Sequence, residues 1–361
     1  MPLQSSPLLD ISLPKPIVLP TAQLAGLYAC MLGIDYVLLR HQNKLFISKK
    51  TLGAGMTIVH AIVPLAIVSP LQPNNVTFAA VPWFLASYSA YLPTDKFTLT
   101  EWIKALYSTI VDRSAIDSDS KTSVNALGLL KCLRGAVKLA ALYFGVEPFL
   151  PTMPDDMLRY PWLSKESLLD TFLFGLKAYL ILGMVDVTTG LAQAVTGWRM
   201  VDMFDSPLLA TSPRDFWSNR WNKTVRNLLH SQVFSIQKEA DPKKNDDNKA
   251  VQTPEGFLST KQGRGLMAFV VSGAFHELII CSVCRKVTLE NFCFFTLHGL
   301  ACMLEVHFFN TKQQPTGWKR AARIALNLGF LTLTGRLFLA PFLRTRFTEI
   351  LPITHSLSFV P

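Results

Sequence analysis

Charge is what this sequence has least of. Only 17% of its 361 residues are Asp, Glu, Lys or Arg, while 50% are hydrophobic, and mean hydropathy is +0.28. A soluble domain carries nearer a quarter of charged residues. That shortage excludes an ordinary water-facing globule and points to a chain solvated by lipid, whose outer face needs no ions. Cysteine is sparse as well. Cys30, Cys132, Cys281, Cys284, Cys293 and Cys302 all lie in or beside apolar segments. Cys281 and Cys284 form a CxxC with no second pair, so neither a zinc site nor a disulfide is expected, and no metal. The N-terminal region has no basic stretch followed by a cleavage site, so the first apolar segment reads as a retained span. No internal repeat is visible.

What is present is apolar length. A span needs roughly 20 mainly apolar residues. Candidates cover about 17–39, 52–69, 76–92, 126–148, 167–191, 265–284, 291–309 and 324–343. The expected fold class is therefore all-α, a polytopic integral membrane bundle of about 7–9 transmembrane helices, with 1–361 as a single domain. Arg40, Lys44, Lys49 and Lys50 follow the first span, and Lys312, Lys319, Arg320 and Arg323 follow the seventh. With eight spans these loops share one side with segment 192–264, and the positive-inside rule makes that side cytosolic. Net charge is +10. Because the basic residues sit in loops, anionic head groups or an anionic cosubstrate explain them better than nucleic acid does. Segment 238–250, KEADPKKNDDNKA, reads as a solvated loop.

Polar groups at membrane depth mark candidate sites. One block runs from Phe204 to Arg226, FDSPLLATSPRDFWSNRWNKTVR. Ser212 suits an N-cap and Pro213 the first helical position. On the helix expected to follow, Asp215, Asn219, Asn222 and Arg226 share a polar face, and Trp217, Trp221 and Leu228 an apolar one. Such a helix suits a membrane interface, or it is a plain surface helix. A second block, FVVSGAFHELIICSVC, places His276 and Glu277 in an apolar run. Its small Ser272, Gly273 and Ala274 permit close helix packing or room for a ligand. A neutral imidazole there can take a proton from a hydroxyl, or it simply hydrogen-bonds across helices. Lys131, Arg134 and Lys138 form an i, i+3, i+7 stripe, expected to snorkel at the interface or to line a polar cavity. His60, His298 and His307 read as packing or interfacial residues, the last two about 180° apart on one helix. Asp35 and Asp186 are intramembrane acids with no partner evident from sequence.

The strings Phe204-Asp205-Ser206-Pro207-Leu208-Leu209, Arg214-Asp215-Phe216-Trp217 and Arg220-Trp221-Asn222 resemble the wax-synthase branch of the membrane-bound O-acyltransferases, in its fungal natural-product form. Ser272-Gly273, Phe275-His276 and Glu277 resemble that superfamily's catalytic-histidine helix. The likeness covers about 200–280 and elsewhere rests on span pattern. The branch commonly has histidine after Arg-Trp. Here Asn222 stands in its place, as in a comparable motif of sterol and diacylglycerol acyltransferases. That substitution keeps a hydrogen-bonding group but removes a titratable one, so His276 is the better base.

The resemblance implies transfer of an acyl group from acyl-CoA to an alcohol, with acyl-CoA as cosubstrate and no bound cofactor. His276 would be the base, and Asn222 would donate to the thioester carbonyl or position the alcohol. Glu277, Asp215, Trp217, Trp221 and Ser272 would support them. Arg214, Arg220 and Lys223, or else Lys131, Arg134 and Lys138, would meet the CoA phosphates. Acetyl transfer from acetyl-CoA to a terpenoid-type alcohol is the favoured form, with long-chain wax-ester or neutral-lipid synthesis as the alternative. The partners are then the bilayer, acyl-CoA and a hydrophobic alcohol, in the endoplasmic reticulum; the sequence sets no oligomeric state. A transporter would explain the spans but not the FW…RWN block, and transporter-like repeats are missing. None of the seven histidines has an aspartate four residues on, which excludes the HxxxD acyltransferases.

Overall fold

The computed structural model describes residues 6–112, 121–234, 256–257, 260–308 and 316–347; segment 238–250, expected above to be a solvated loop, and Lys312 lie outside them. The chain is mostly helical, as expected. In order the helices are α1 (Thr21–Arg40), α2 (Lys49–Ala66), α3 (Gln72–Ser89), α4 (Leu99–Tyr107), α5 (Lys121–Gly145), α6 (Lys165–Leu180), α7 (Gly183–Thr196), the single turn α8 (Pro213–Asp215), α9 (Lys223–Phe234), α10 (Lys261–Cys284), α11 (Glu290–Phe308) and α12 (Gly317–Arg344). Each apolar segment picked out above coincides for most of its length with a helix, and 167–191 divides between α6 and α7. Among the described residues four stretches are long and apolar enough to cross a membrane: 21–40, 165–196, 262–284 and 317–344.

Local chemistry sets the helix ends. Ser48 and Ser164 accept the backbone N–H groups of Thr51 and Ser167 at the starts of α2 and α6. Thr98 and Glu101 form a reciprocal capping box on α4. Gly197, at φ +69°, ends α7 in the left-handed region that a side chain would strain.

The described chain forms two compact units. The first comprises Met1–Asp202, Glu277–Glu290 and Thr332–Pro361. Its two-stranded ladders pair β1 (Ile11–Ser12) with β4 (Lys286–Val287), antiparallel, and β2 (Ile17–Val18) with β3 (Ile67–Val68), parallel. The tightest helix pair here is α5 on α7. Gly128 and Gly135 on one face the seven-residue pair Gly183 and Gly190 on the other. A Cβ on Gly135 would lie 2.5 Å from the Gly183 carbonyl oxygen, and one on Gly190 would lie 2.7 Å from the Cys132 nitrogen. Only glycine lets the two backbones come so close.

The same unit gives the intramembrane acids their partners. Asp35 accepts from His60 Nε2 at 2.8 Å, with both groups buried. Asp186 accepts from Arg134 at 2.8 Å and from Lys138 at 2.7 Å. The stripe on α5 is thus paired with carboxylates, and two of its members line a polar cavity. Arg134 and Lys138 meet Asp186 because the glycine contact brings α7 and its carboxylate within reach.

The second unit comprises Met203–His276 and Asn291–Leu331. Its interior is aromatic. Phe216, Phe294 and Phe295 are buried, and His298 is fully so.

Candidate functional site

The block expected to be one amphipathic helix is broken in two. Ser212 caps it as expected, accepting the Asp215 N–H at 3.1 Å, with Pro213 in the first turn. After one α-turn the backbone widens into a π-turn over Phe216–Arg220, closed by Trp221 N–H on the Phe216 carbonyl at 2.9 Å. Asn222 then takes a positive φ of 40° and α9 starts afresh at Lys223. The polar face from Asp215 to Arg226 therefore does not exist as a continuous stripe. Tertiary bonds displace the helix: Asp205 N–H donates to the Arg220 carbonyl at 2.8 Å, and Lys223 N–H to the Met203 carbonyl at 3.0 Å. π-turns of this kind are rare and concentrate at functional sites.

Asp215 organises the turn. Its carboxylate accepts from the Thr211 N–H at 3.0 Å, Asn219 Nδ2 at 3.0 Å and Arg220 Nε at 2.9 Å. Burial pushes this carboxyl up, but the bonds from Asn219, Thr211 and Arg220 outweigh it and hold it below the usual carboxylate range. Arg220 also donates to the carbonyls of Asp205 and Ser206, and Lys223 pairs with Asp205 at 3.2 Å. The Arg214 backbone N–H donates to Glu305 at 3.0 Å. Asn222 Oδ1 accepts the Val225 N–H at 3.2 Å, so its carbonyl is spent on capping α9 and its Nδ2 is the group left to donate.

The tryptophans do not form an interfacial face. Trp221 stacks on Phe216 with ring centres 5.2 Å apart and lies edge-on to Phe204 at 5.1 Å. The π-turn aims Trp217 into the aromatic interior, 5.8 Å from Phe269 and 5.3 Å from Phe295. Its indole N–H donates to His298 Nδ1 at 3.0 Å.

His276 sits on α10 in the same unit, half-buried. Its ring lies 4.0 Å from that of Phe295 on α11. The approach of the two helices rests on Gly273, where a Cβ would meet the Phe292 carbonyl oxygen at 3.1 Å, and on Gly299, where one would meet Phe269 Cβ at 2.7 Å. His276 Nδ1 lies 2.8 Å from the Ser272 carbonyl oxygen and 3.5 Å from its hydroxyl. A carbonyl can only accept, so Nδ1 carries the proton and Nε2 the lone pair of the neutral ring. Glu277, the next residue, belongs to the first unit. Its Oε1 accepts the N–H groups of Thr288 and Leu289 at 2.7 and 2.6 Å and the Thr288 hydroxyl at 3.2 Å. That ties down the turn before α11, where Leu289 holds a positive φ.

Of the predicted phosphate partners, Lys131 and Arg134 line a cavity of about 270 Å³ together with Arg199, Gln193, Asp202, Leu127 and Leu130. Within it Asp202 pairs with Arg134 at 2.8 Å and with Lys131 at 3.4 Å. Lys138 instead pairs with Asp186 and lies over the Tyr179 ring.

Sequence reading passed over His298 as packing. Its signal was the stripe Asn291, Phe294, Phe295 and His298 at i, i+3, i+4 and i+7 on an otherwise apolar helix. His307 is exposed while His298 is fully buried, as their opposite placement on one helix implies.

Comparison with known proteins places the site region in context. Residues 198–297 match the model of the membrane bound O-acyl transferase family. The chain is 33% identical over 213 residues to "Probable long-chain-alcohol O-fatty-acyltransferase 2" of Arabidopsis thaliana, covering 58% of this chain and 56% of the relative. It is 36% identical over 186 residues to "Probable long-chain-alcohol O-fatty-acyltransferase 1" of the same plant, covering 49% and 50%. With the "Long-chain-alcohol O-fatty-acyltransferase" of Simmondsia chinensis it shares 30% over 146 residues, covering 40% and 39%. The aligned part thus spans about half the length of these curated relatives. The π-turn block and the His276 helix both fall within a segment that matches the membrane-bound O-acyltransferase family.

Proposed function

We propose that this protein transfers an acyl group from a CoA thioester to the hydroxyl of a lipophilic alcohol, with His276 as general base. The observation that carries this reading is the His276 tautomer. Its Nδ1–H is held by the Ser272 carbonyl, which leaves Nε2 with the lone pair a base needs. The thioester has a good leaving group already; the obstacle is the high pKa of the alcohol. The alcohol proton passes to Nε2 as its oxygen adds to the carbonyl carbon. The tetrahedral intermediate then collapses, the C–S bond breaks, and the thiolate takes the proton from the imidazolium and departs as CoA. A positioned base contributes about 10²–10⁴-fold. Asn222 Nδ2 donates to the thioester carbonyl or orients the alcohol. Asp215, Arg220 and Lys223 hold the turn that carries Asn222, and Glu277 holds the turn that precedes α11.

The relatives' names favour long acyl chains and long-chain alcohols. The likeness of the FW…RWN block to fungal natural-product members favours a second form, acetyl transfer to a terpenoid-type alcohol. Lys131, Arg134 and Arg199 around their cavity suit the anionic part of acyl-CoA. Seven to nine helices in the endoplasmic reticulum membrane, with 40–51 and 192–264 cytosolic, complete the proposal.

A microsomal assay with acetyl-CoA and palmitoyl-CoA against fatty and terpenoid alcohols tests it. His276→Ala should abolish transfer, and retained activity would sink the base assignment. A long-chain donor and acceptor should give the faster reaction; preference for acetyl-CoA with a terpenoid alcohol would reverse the order of the two forms. A Lys131→Ala/Arg134→Ala variant should raise the KM for acyl-CoA, and an unchanged KM would remove that cavity from the proposal.

A further inference from the structure

Three cations, Lys131, Arg134 and Arg199, line the cavity beside α5, and with them one carboxylate, Asp202. All four belong to the first unit. The backbone that carries Arg199 and Asp202 is clamped from two sides. Met200 N–H donates to Oε1 of the buried Gln193 at 3.0 Å, and the Met200 carbonyl accepts from Lys131 Nζ. Opposite, Asp112 N–H donates to the Arg199 carbonyl at 2.7 Å and Val201 N–H to the Ile110 carbonyl at 2.9 Å. Segment 199–202 is thus held by its backbone, whatever its acidic side chain binds.

Two carboxylates meet the α5 stripe, and they are held differently. Asp186 takes two bonds from Arg134, at 2.8 and 3.2 Å, and one from Lys138 at 2.7 Å. Its side chain is 7% exposed. Asp202 takes one bond from Arg134 at 2.8 Å and lies 3.4 Å from Lys131, both through Oδ1. Its side chain is 47% exposed. Asp186 therefore belongs to the helix contact, whereas Asp202 meets the cations from the solvent side. The Lys131 side chain is only 11% exposed, and a charge so placed needs a counter-charge. Asp202 supplies one, but the same place attracts a stronger anion. A phosphoryl group brings about −1.5 to −2 charges and three acceptor oxygens, and the arginine fork fits it. At about 270 Å³ the cavity falls below the roughly 300–1,000 Å³ of pockets that enclose a drug-sized ligand. It suits the phosphorylated end of a larger molecule.

We propose that Asp202 is a specificity-determining residue of the acyl-donor site: its carboxylate holds the Lys131–Arg134 pair until a phosphoryl group of the donor displaces it. This rests on the reading of acyl-CoA as donor given above. The exchange makes and breaks no covalent bond, and it keeps both cations neutralised before and after. A neutral group gains nothing by displacing a carboxylate, so the residue selects a phosphorylated donor.

The test uses the full chain in detergent free of phospholipid, at matched amounts of folded protein. It measures the KM for palmitoyl-CoA and the rise in melting temperature with CoA, in D202N, K131A/R134A and the triple variant. D202N should lower KM about two- to fivefold, the size of an exposed ion pair, and enlarge the CoA-induced rise. In the K131A/R134A background D202N should do neither, because no cation pair is left to compete for. A higher or unchanged KM in D202N overturns the proposal, and so does an equal gain in both backgrounds, which makes Asp202 a remote charge. A gain with phosphatidylglycerol micelles and none with CoA gives the cavity to a lipid head group and overturns it too. If D202N fails to fold, D202S takes its place. The melting shift needs no turnover, so an H276A background keeps the D202N gain readable whether or not the base assignment holds. Raised KM in K131A/R134A beside an unchanged D202N breaks this inference alone; unchanged KM in K131A/R134A breaks the cavity reading on which it rests.

Discussion

Helices α5 and α7 meet on glycine, and so do α10 and α11, but the two pairs treat their polar residues differently. In the first, Gly128, Gly135, Gly183 and Gly190 bring the backbones together, and Lys131, Arg134 and Lys138 are matched against Asp186 and Asp202. In the second, Gly273 and Gly299 do the same work, but the polar groups are neutral imidazoles. Each ring is oriented by one hydrogen bond of known direction, to the Ser272 carbonyl or from the Trp217 indole. The lesson is chemical. A full charge inside an apolar bundle must be met by its opposite, and the pair then serves structure. A neutral ring has its tautomer fixed by one partner of known direction, which defines the protonation of the other nitrogen.

That contrast can be broken in order of expected effect. His276→Ala should remove at least about 10²–10⁴-fold of transfer activity while leaving thermal stability nearly unchanged, because no ion pair is lost; a stability loss equal to the activity loss would make the ring structural. Asp186→Ala should do the reverse. It strands Lys138, whose carboxylate is lost, while Arg134 keeps Asp202, and should destabilise by about 3 kcal/mol. Thermal melts of detergent-solubilised protein would show it, with kcat per folded molecule largely kept. Gly135→Leu forces side-chain atoms against the Gly183 carbonyl oxygen, 2.5 Å from where the first carbon must go, and should destabilise by about 1–3 kcal/mol or more. Gly273→Ala meets its neighbours only at 3.1–3.2 Å and should shift stability by less than about 1.5 kcal/mol. An equal response at both glycines would erase the difference in packing.

A separate effect concerns acid. Asp215 is held below the usual carboxylate range, so its hydrogen bonds stabilise the fold above the unfolded pKa of about 3.9 and are lost as pH falls through the lower folded value. Asp215→Asn should flatten that part of the stability profile and destabilise the neutral-pH protein by about 1.5–3 kcal/mol, as for hydrogen bonds to a charged group. An unchanged acid profile would show that the turn does not depend on the charge.

Much of this was legible beforehand. Ser212 and Pro213 announced a helix start, and Ser272-Gly273-Ala274 announced a close approach of helices; both are where they were expected. The seven-residue glycine spacings at 128 and 135 and at 183 and 190 were equally readable but went unused. Other features were not legible. Nothing local predicts that Trp221 will bond back to Phe216 across a π-turn, because the 203–206 segment that competes for those backbone groups comes from a different place in the chain. The partners of Asp35 and Asp186 lie 25 residues ahead and 52 and 48 residues back in sequence, so no pattern within one helix reveals them.

The sequence by itself determined that this chain is helical and lipid-compatible, which residues are polar at depth, and where the Phe204–Arg226 and His276 blocks lie. Those properties follow from composition, period and spacing along one strand of chain. Tertiary structure alone decided what each polar residue touches. It paired the α5 stripe with carboxylates, broke the expected amphipathic helix at Asn222, and set His276 and His298 in opposite tautomers. A tautomer depends on which atom faces each ring nitrogen. For His276 that atom is a carbonyl one turn away; for His298 it is an indole 81 residues distant, which only the folded chain brings within 3.0 Å.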